Sequence, residues 1–215
     1  MPSNNSKNEH ISAIVLAGGQ SRRMESDKAL LMLEGEYLIQ RLVRQLKAHF
    51  SEILVTTGET RRYQDLLDVP LLEDEIEPCG PLSGLYTGLR AATHSFSFVT
   101  ACDMPFLKPE LIALFMEQLD ATVDAIVPEV GGVRCVARAI YGKRCLRHIP
   151  MLMSKSQFSL QRLLDRLRVK MISEQRLRAV DSQLESFISC NTKDEWQKVR
   201  ARVAVQPKEK GKGQR

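Results

Sequence analysis

Apolar residues in this chain fall into short runs, separated by stretches in which they recur every third or fourth position. The runs predict strands at Ile11–Ala17, Ile53–Thr57, Val69–Leu72, Phe96–Ala101, Asp124–Pro128, Arg138–Tyr141 and Val169–Ile172. A short extended piece at Leu30–Leu33 is expected before the turn Glu34-Gly35-Glu36, and Phe187–Cys190 also reads as extended. The helical spacing falls at Tyr37–Phe50, with Leu38, Leu42, Val43 and Leu46 on one side. It recurs at Arg61–Leu67, Leu82–Ala92, Pro109–Leu119, Cys145–Met153 and Ser159–Leu167, and in a last helix capped by Thr192 and running through Val203. Ile11–Ala17 is apolar enough to be buried on both faces, as central parallel strands are. Strands alternating with helices predict an open α/β sheet with right-handed crossovers. The 215 residues suit one domain at 11–204, with a loose leader at 1–10 and a basic tail at 205–215.

The net charge of +5 changes this picture little, because three of those charges lie in Gln206–Arg215. No zinc-finger spacing or aromatic-rich basic stretch is present, so no nucleic-acid partner is expected. Small phosphorylated ligands suit a modest positive field as well. The basic region Ser159–Arg178 (Arg162, Arg166, Arg168, Lys170, Arg176 and Arg178) reads first as a solvated face. The five cysteines are widely spaced, without a Cys-x-x-Cys pair, which fits a reducing cytoplasmic compartment. No apolar run is long enough for a membrane span, and the first ten residues carry no apolar signal segment.

The candidate chemistry begins where the first strand ends. Gly18 and Gly19 stand just beyond it, where open α/β sheets place ligands. Without side chains there, backbone N–H groups can approach phosphate oxygens, Ser21 can add a hydroxyl, and Arg22, Arg23 or Lys28 can neutralise the anion. A tight turn with surface arginines is the competing reading. The spacing is neither Gly-x-Gly-x-x-Gly nor the P-loop pattern, which disfavours dinucleotide oxidoreductases and P-loop hydrolases.

Asp103 follows the apolar run Phe96–Ala101, a position suited to holding Mg2+ against a triphosphate or, alternatively, to capping a helix before Pro105 and Pro109. Asp74 also follows an apolar run and can bond a sugar hydroxyl, a base N–H or a nearby loop. Gly80-Pro81-Leu82-Ser83-Gly84 then offers backbone groups to a base edge. The four histidines do not cluster, and Glu73, Asp74, Glu75 and Glu77 show no metal-ligand spacing.

Taken together, Leu16-Ala17-Gly18-Gly19, Ser21-x-Arg23-Met24, Asp27-Lys28, Glu73-Asp74, Gly80–Gly84, Cys102-Asp103-Met104-Pro105 and Asn191-Thr192 form an ordered set spanning most of the chain. By that set the chain resembles the molybdenum cofactor guanylyltransferases, within the Rossmann-like nucleotidyltransferases. The resemblance implies a three-layer α/β/α fold with a mostly parallel mixed central sheet. It implies transfer of GMP from GTP to molybdenum-loaded molybdopterin, with pyrophosphate released and Mg2+ as cofactor.

The implied site residues are Leu16, Ala17, Gly18 and Gly19 cradling GTP, Lys28 at its phosphates and Asp74 toward the guanosine, with Thr56 and Gly84 also binding the nucleotide and Arg23 taking part in catalysis. Asp103 would hold Mg2+, with Asn191 on the same surface. A molybdoenzyme or cofactor-delivery protein is an implied partner. Three positions depart from the family pattern: Glu25 replaces a common glycine, Thr56 a common asparagine, and Gly131–Val136 lacks a frequent proline. Transfer of CMP, action on a sugar phosphate, or nucleotide binding without catalysis are the alternatives.

Overall fold

The computed structural model describes residues 10–18, 27–74 and 80–205. In chain order the strands and helices are β1 (Ser12–Leu16), β2 (Met32–Leu33), β3 (Glu36–Tyr37), α1 (Leu38–Lys47), β4 (Ile53–Thr57), β5 (Leu71–Glu73), α2 (Pro81–Ala91) and β6 (Phe96–Ala101). They continue with α3 (Pro109–Glu117), β7 (Ala125–Val130), β8 (Val133–Arg134), β9 (Arg138–Gly142), α4 (Ile149–Ser154), α5 (Leu160–Leu164), β10 (Val169–Ile172), α6 (Glu174–Val180) and α7 (Lys193–Val205).

The main sheet has the order β10-β7-β9-β6-β1-β4-β5, with β8 paired to β7. Its pairings are parallel except where β9 lies antiparallel between β6 and β7, and where β8 turns back on β7. β1 therefore sits at the centre, as its uninterrupted burial requires. Side chains alternate across the sheet, so each face of β1 feeds a different layer. Ala13 and Val15 join Ile39, Leu42 and Leu46 of α1, with Leu111 and Phe115 of α3. Ile14 and Leu16 join Leu82, Leu85 and Leu89 of α2, with Ile149 and Leu160 from α4 and α5. The result is the expected three-layer, mostly parallel mixed fold.

A smaller cluster matters for the site. Leu33 and Leu38 pack on Cys190, Val199 and Val203, fastening α7 beside the β2–β3 hairpin. Thr192 caps α7, its Oγ1 accepting from the Glu195 amide at 3.2 Å. Glu195 Oε2 accepts in return from the amides of Thr192 and Asn191, at 3.0 and 2.6 Å. This reciprocal cap holds Asn191 in place.

Several expectations are corrected. Arg61–Leu67 is no helix: only Thr60–Arg62 forms a 3-10 turn, after which the amides of Leu66 and Leu67 both fold onto the Tyr63 carbonyl. Cys145–Met153 is broken into a 3-10 turn at Lys143–Arg147 and the separate α4, which starts at Ile149 with Pro150 in its first turn. Phe187–Cys190 is extended at Ile188, as read, but joins no sheet. Its start closes the 3-10 turn Glu185–Phe187, and its end crosses to the Asp103 carbonyl. The unanticipated α6 buries Leu177 as its single fully covered anchor, too little for a visible apolar stripe. No helix among the described residues is long and apolar enough to cross a membrane. The expected leader and tail lie almost wholly outside the described residues, as do Gly19, Ser21, Arg22, Arg23, Glu25, Glu75 and Glu77.

Candidate active site at the carboxyl ends of the central strands

The structure gathers the described candidates into two groups flanking the end of β1. Leu16 and Ala17 form the base between them. The Leu16 carbonyl accepts from the Cys102 amide at 3.1 Å, and the Ala17 amide donates to the Thr56 carbonyl at 2.8 Å. These two residues are buried and their cited backbone groups are taken by neighbouring strands. Gly18 is the first exposed residue of the set.

The first group lies toward β4 and β5. A Cβ on Gly18 would stand 3.6 Å from Asp74 Oδ2, and one on Gly84 would stand 2.7 Å from Thr56 Oγ1 and 3.6 Å from Asp74 Oδ1. Gly18, Thr56, Asp74 and Gly84 thus surround one spot. Thr56 Oγ1 and Asp74 Oδ1 are both buried there without a hydrogen-bond partner among the described residues. Buried polar oxygens are normally bonded, so this pair is open to a donor from outside the described residues. Ser83 Oγ lies 3.4 Å from Asp74 Oδ2 while donating to the Gly80 carbonyl at 2.8 Å. Gly80 has φ 83°, which lets the chain turn sharply into Pro81 and aim the start of α2 at this spot.

Burial holds the Asp74 carboxyl above the usual aspartate range, Ser83 pulling it down and Glu73 pushing it up. The linkage sign follows. A carboxyl raised on folding costs the fold stability above both pKa values, where it is ionised. Asp74→Asn is therefore expected to raise the thermal midpoint at pH 7 while weakening nucleotide binding. Paired thermal melts and GTP titrations check this; a lower midpoint with unchanged affinity would contradict it.

The second group lies toward β6. Lys28 Nζ bonds Asn191 Oδ1 at 2.6 Å and pairs with Asp103 Oδ2 at 3.4 Å. The Lys28 and Asp103 side chains are 19% and 17% exposed, so the pair borders solvent. Asn191 is oriented by its Nδ2, which donates to Ser189 Oγ at 2.7 Å. The Cys190 amide donates to the Asp103 carbonyl at 2.9 Å, tying the segment after β6 to the one that leads into α7. Two hard oxygens thus converge on one cation. Among the described residues no group of three His, Cys, Asp or Glu is placed to enclose a metal. Mg2+ is commonly held by one or two protein oxygens plus phosphates and water, and this donor set fits it.

Tyr63, which the sequence reading did not single out, borders these candidates. Its phenol donates to Asp27 Oδ2 at 2.7 Å and lies 3.3 Å from the Ala17 carbonyl. Asp27 Oδ1 accepts from the Ala29 amide at 3.0 Å, capping the 3-10 turn that opens at Lys28. Burial and the adjacent Asp27 push the phenol far above its usual range, so it stays a donor. Removing a hydrogen bond to a charged acceptor costs about 1.5–3 kcal/mol. Tyr63→Phe is expected to lower stability by that amount and to reduce kcat/KM for GTP, because the Lys28 turn loses its brace. Denaturant unfolding with steady-state kinetics tests both; intact kinetics in a folded variant would remove Tyr63 from the site. Its only sequence signal was a lone aromatic in a polar stretch.

The MobA-like NTP transferase domain model matches residues 13–172. A molybdenum cofactor guanylyltransferase from Desulfosudis oleivorans is 34% identical over 194 residues, covering 90% of this chain and 96% of that protein. A probable molybdenum cofactor guanylyltransferase from Pelotomaculum thermopropionicum is also 34% identical, covering 93% and 95%. Among solved structures, molybdopterin-guanine dinucleotide biosynthesis protein A from Archaeoglobus fulgidus superposes with a TM-score of 0.81 at 24% identity, covering 91% of this chain and 100% of that one. That likeness concerns the fold. The family match and the curated relatives establish that the chain belongs to the MobA-like nucleotidyltransferases, among the molybdenum cofactor guanylyltransferases.

Proposed function

We propose that this protein transfers GMP from GTP to molybdenum-loaded molybdopterin, releasing pyrophosphate and forming the guanine dinucleotide cofactor. The observation that carries this reading is the Lys28 ammonium held between Asp103, just past β6, and Asn191, just before α7. The guanosine side faces Thr56, Asp74 and Gly84, where two buried oxygens await donors. Lys28 would contact the phosphates, a role this reading also gives to Gly18, Gly19 and Arg23. Asp103 and Asn191 would hold Mg2+, which when bound withdraws charge from the phosphate oxygens.

In this reading the acceptor's terminal phosphate attacks the α-phosphorus, and the bond to the departing pyrophosphate breaks. Both reactants are anionic. The chain's part is to align them and offset their repulsion through Lys28 and backbone N–H groups, without a covalent protein intermediate. Residues 11–204 act as one domain in this proposal. A cytoplasmic setting is supported by the free thiols of Cys102, Cys135, Cys145 and Cys190. A molybdoenzyme or delivery protein would take the product.

Pyrophosphate release with GTP, Mg2+ and molybdenum-loaded molybdopterin tests this, with CTP and acceptor-free controls. Release requiring both GTP and the acceptor is the expected result. GTP binding without pyrophosphate release in the presence of an intact acceptor, or equal use of CTP, would overturn it.

A further inference from the structure

Arg138 is the largest fully buried side chain in the described fold, with no exposed surface. It stands at the start of β9, in an otherwise apolar strand. A guanidinium removed from water is costly unless its N–H groups are bonded. Here all of its nitrogens are engaged, and none bonds a carboxylate. Nε and Nη2 donate to Thr100 Oγ1 at 3.2 and 3.0 Å, and Nη2 also donates to the Met104 carbonyl at 2.9 Å. Nη1 donates to the carbonyls of Phe106 and Ser186.

Those acceptors belong to two different segments. Met104 and Phe106 follow Asp103, while Ser186 lies on the path that leads through Cys190 to Asn191. Two further bonds run alongside the arginine. The Lys108 amide donates to Ser186 Oγ at 3.2 Å, and the Cys190 amide donates to the Asp103 carbonyl at 2.9 Å. Asp181, also fully buried, accepts from the Ser186 amide at 2.8 Å and pairs with Lys108 at 3.0 Å. Burial pushes the guanidinium down to about 9, while Asp103 and Asp181 draw it back up.

We infer that Arg138 is a positioning residue: its guanidinium fixes the Asp103 loop against the segment carrying Asn191, and so sets the spacing of the two oxygens at the phosphate end of the site. This rests on the proposed reading that Asp103 and Asn191 face the nucleotide's phosphates. An apolar side chain would leave the Met104, Phe106 and Ser186 carbonyls without their shared donor. A lysine would keep the charge but lose the planar fork that reaches both segments at once.

The test compares the full-length wild type with Arg138→Lys and Thr100→Val, the second retaining the arginine while removing the acceptor that orients it. Three readouts are taken on folded protein: Mn2+ binding in the presence of GTP, hydrogen exchange at the Cys190 amide, and kcat and KM across a Mg2+ titration. In Arg138→Lys, Mn2+ affinity is expected to fall at least fivefold and the Cys190 amide to exchange at least tenfold faster. The Mg2+ concentration for half-maximal rate should rise and kcat fall tenfold or more, with KM for GTP changed less than threefold. Thr100→Val should show the same pattern at smaller size, and it decides the matter if the lysine variant does not fold. A purely structural role would lower stability or the active fraction but leave metal affinity, metal requirement and the Cys190 amide unmoved; that result overturns the inference. Absence of turnover in the wild type would instead count against the proposed reaction, leaving Mn2+ binding and amide exchange to judge Arg138.

Discussion

Replacing Asp103 by asparagine is expected to lower kcat for GTP-dependent pyrophosphate release by about a thousandfold while leaving the fold intact. The carboxylate is the negatively charged member of the pair of oxygens around Lys28. An amide keeps its size and one oxygen but removes the charge. Lewis-acid stabilisation of a reacting phosphate is worth several kcal/mol, and a loss of about 4 kcal/mol is about a thousandfold in rate. Stability should hardly change, because a partly exposed ion pair contributes only about 0–1 kcal/mol. Thr56 and Asp74 are untouched, so binding of the guanosine part should survive. Steady-state kinetics with a thermal melt would check this. A rate within tenfold of wild type would remove Asp103 from the metal role.

Gly84→Ala should separate binding from stability in the opposite way. Alanine gains about 1 kcal/mol over glycine within a helix. Against that, the new methyl would sit 2.7 Å from Thr56 Oγ1 and 3.3 Å from Leu16 Cδ2. Thr56 is fully buried and β-branched, so its side chain has little room to swing aside. Overpacking of this kind costs about 1–3 kcal/mol, which leaves a small net destabilisation. A net change of about 1 kcal/mol moves the midpoint of a domain this size by about 2–4 °C. The same methyl intrudes where the unpaired oxygens of Thr56 and Asp74 face. KM for GTP is expected to rise at least about tenfold, the scale on which a misfitted methyl group discriminates in a pocket. Calorimetric titration and a melt on one preparation would read both effects. Unchanged GTP affinity would place the guanosine elsewhere.

The strands and their ends were legible because each obeyed a local rule. Ile11–Ala17 and Phe96–Ala101 are too apolar to lie at an edge, and the glycines and acids that follow them stand where such sheets meet ligands. Lys28, Asp103 and Asn191 could be named individually, but their meeting depends on α7 packing against the β2–β3 hairpin, a contact between distant parts of the chain. Tyr63 and Arg138 act through backbone carbonyls and a carboxylate supplied by remote loops, and periodicity carries no record of those partners. Arg138 did leave one trace, a charge inside an apolar strand. The single anchor of α6 and the broken register around Pro150 lack the repeated spacing that reveals longer helices.

The main sheet ends on β5 at one side and on β10 at the other, with three and four residues respectively. Open edges are where a second chain can add a strand, and long flat ones invite aggregation. These edges offer few backbone groups to such a visitor. Glu73 lies exposed at the tip of β5, and Lys170 stands within β10 with its ammonium on the Gln118 carbonyl at 3.2 Å. Extending the sheet would demand desolvation of those charges for a handful of hydrogen bonds. The fold can therefore present its ligand residues at the strand ends while its lateral borders offer few backbone groups for pairing with a second chain.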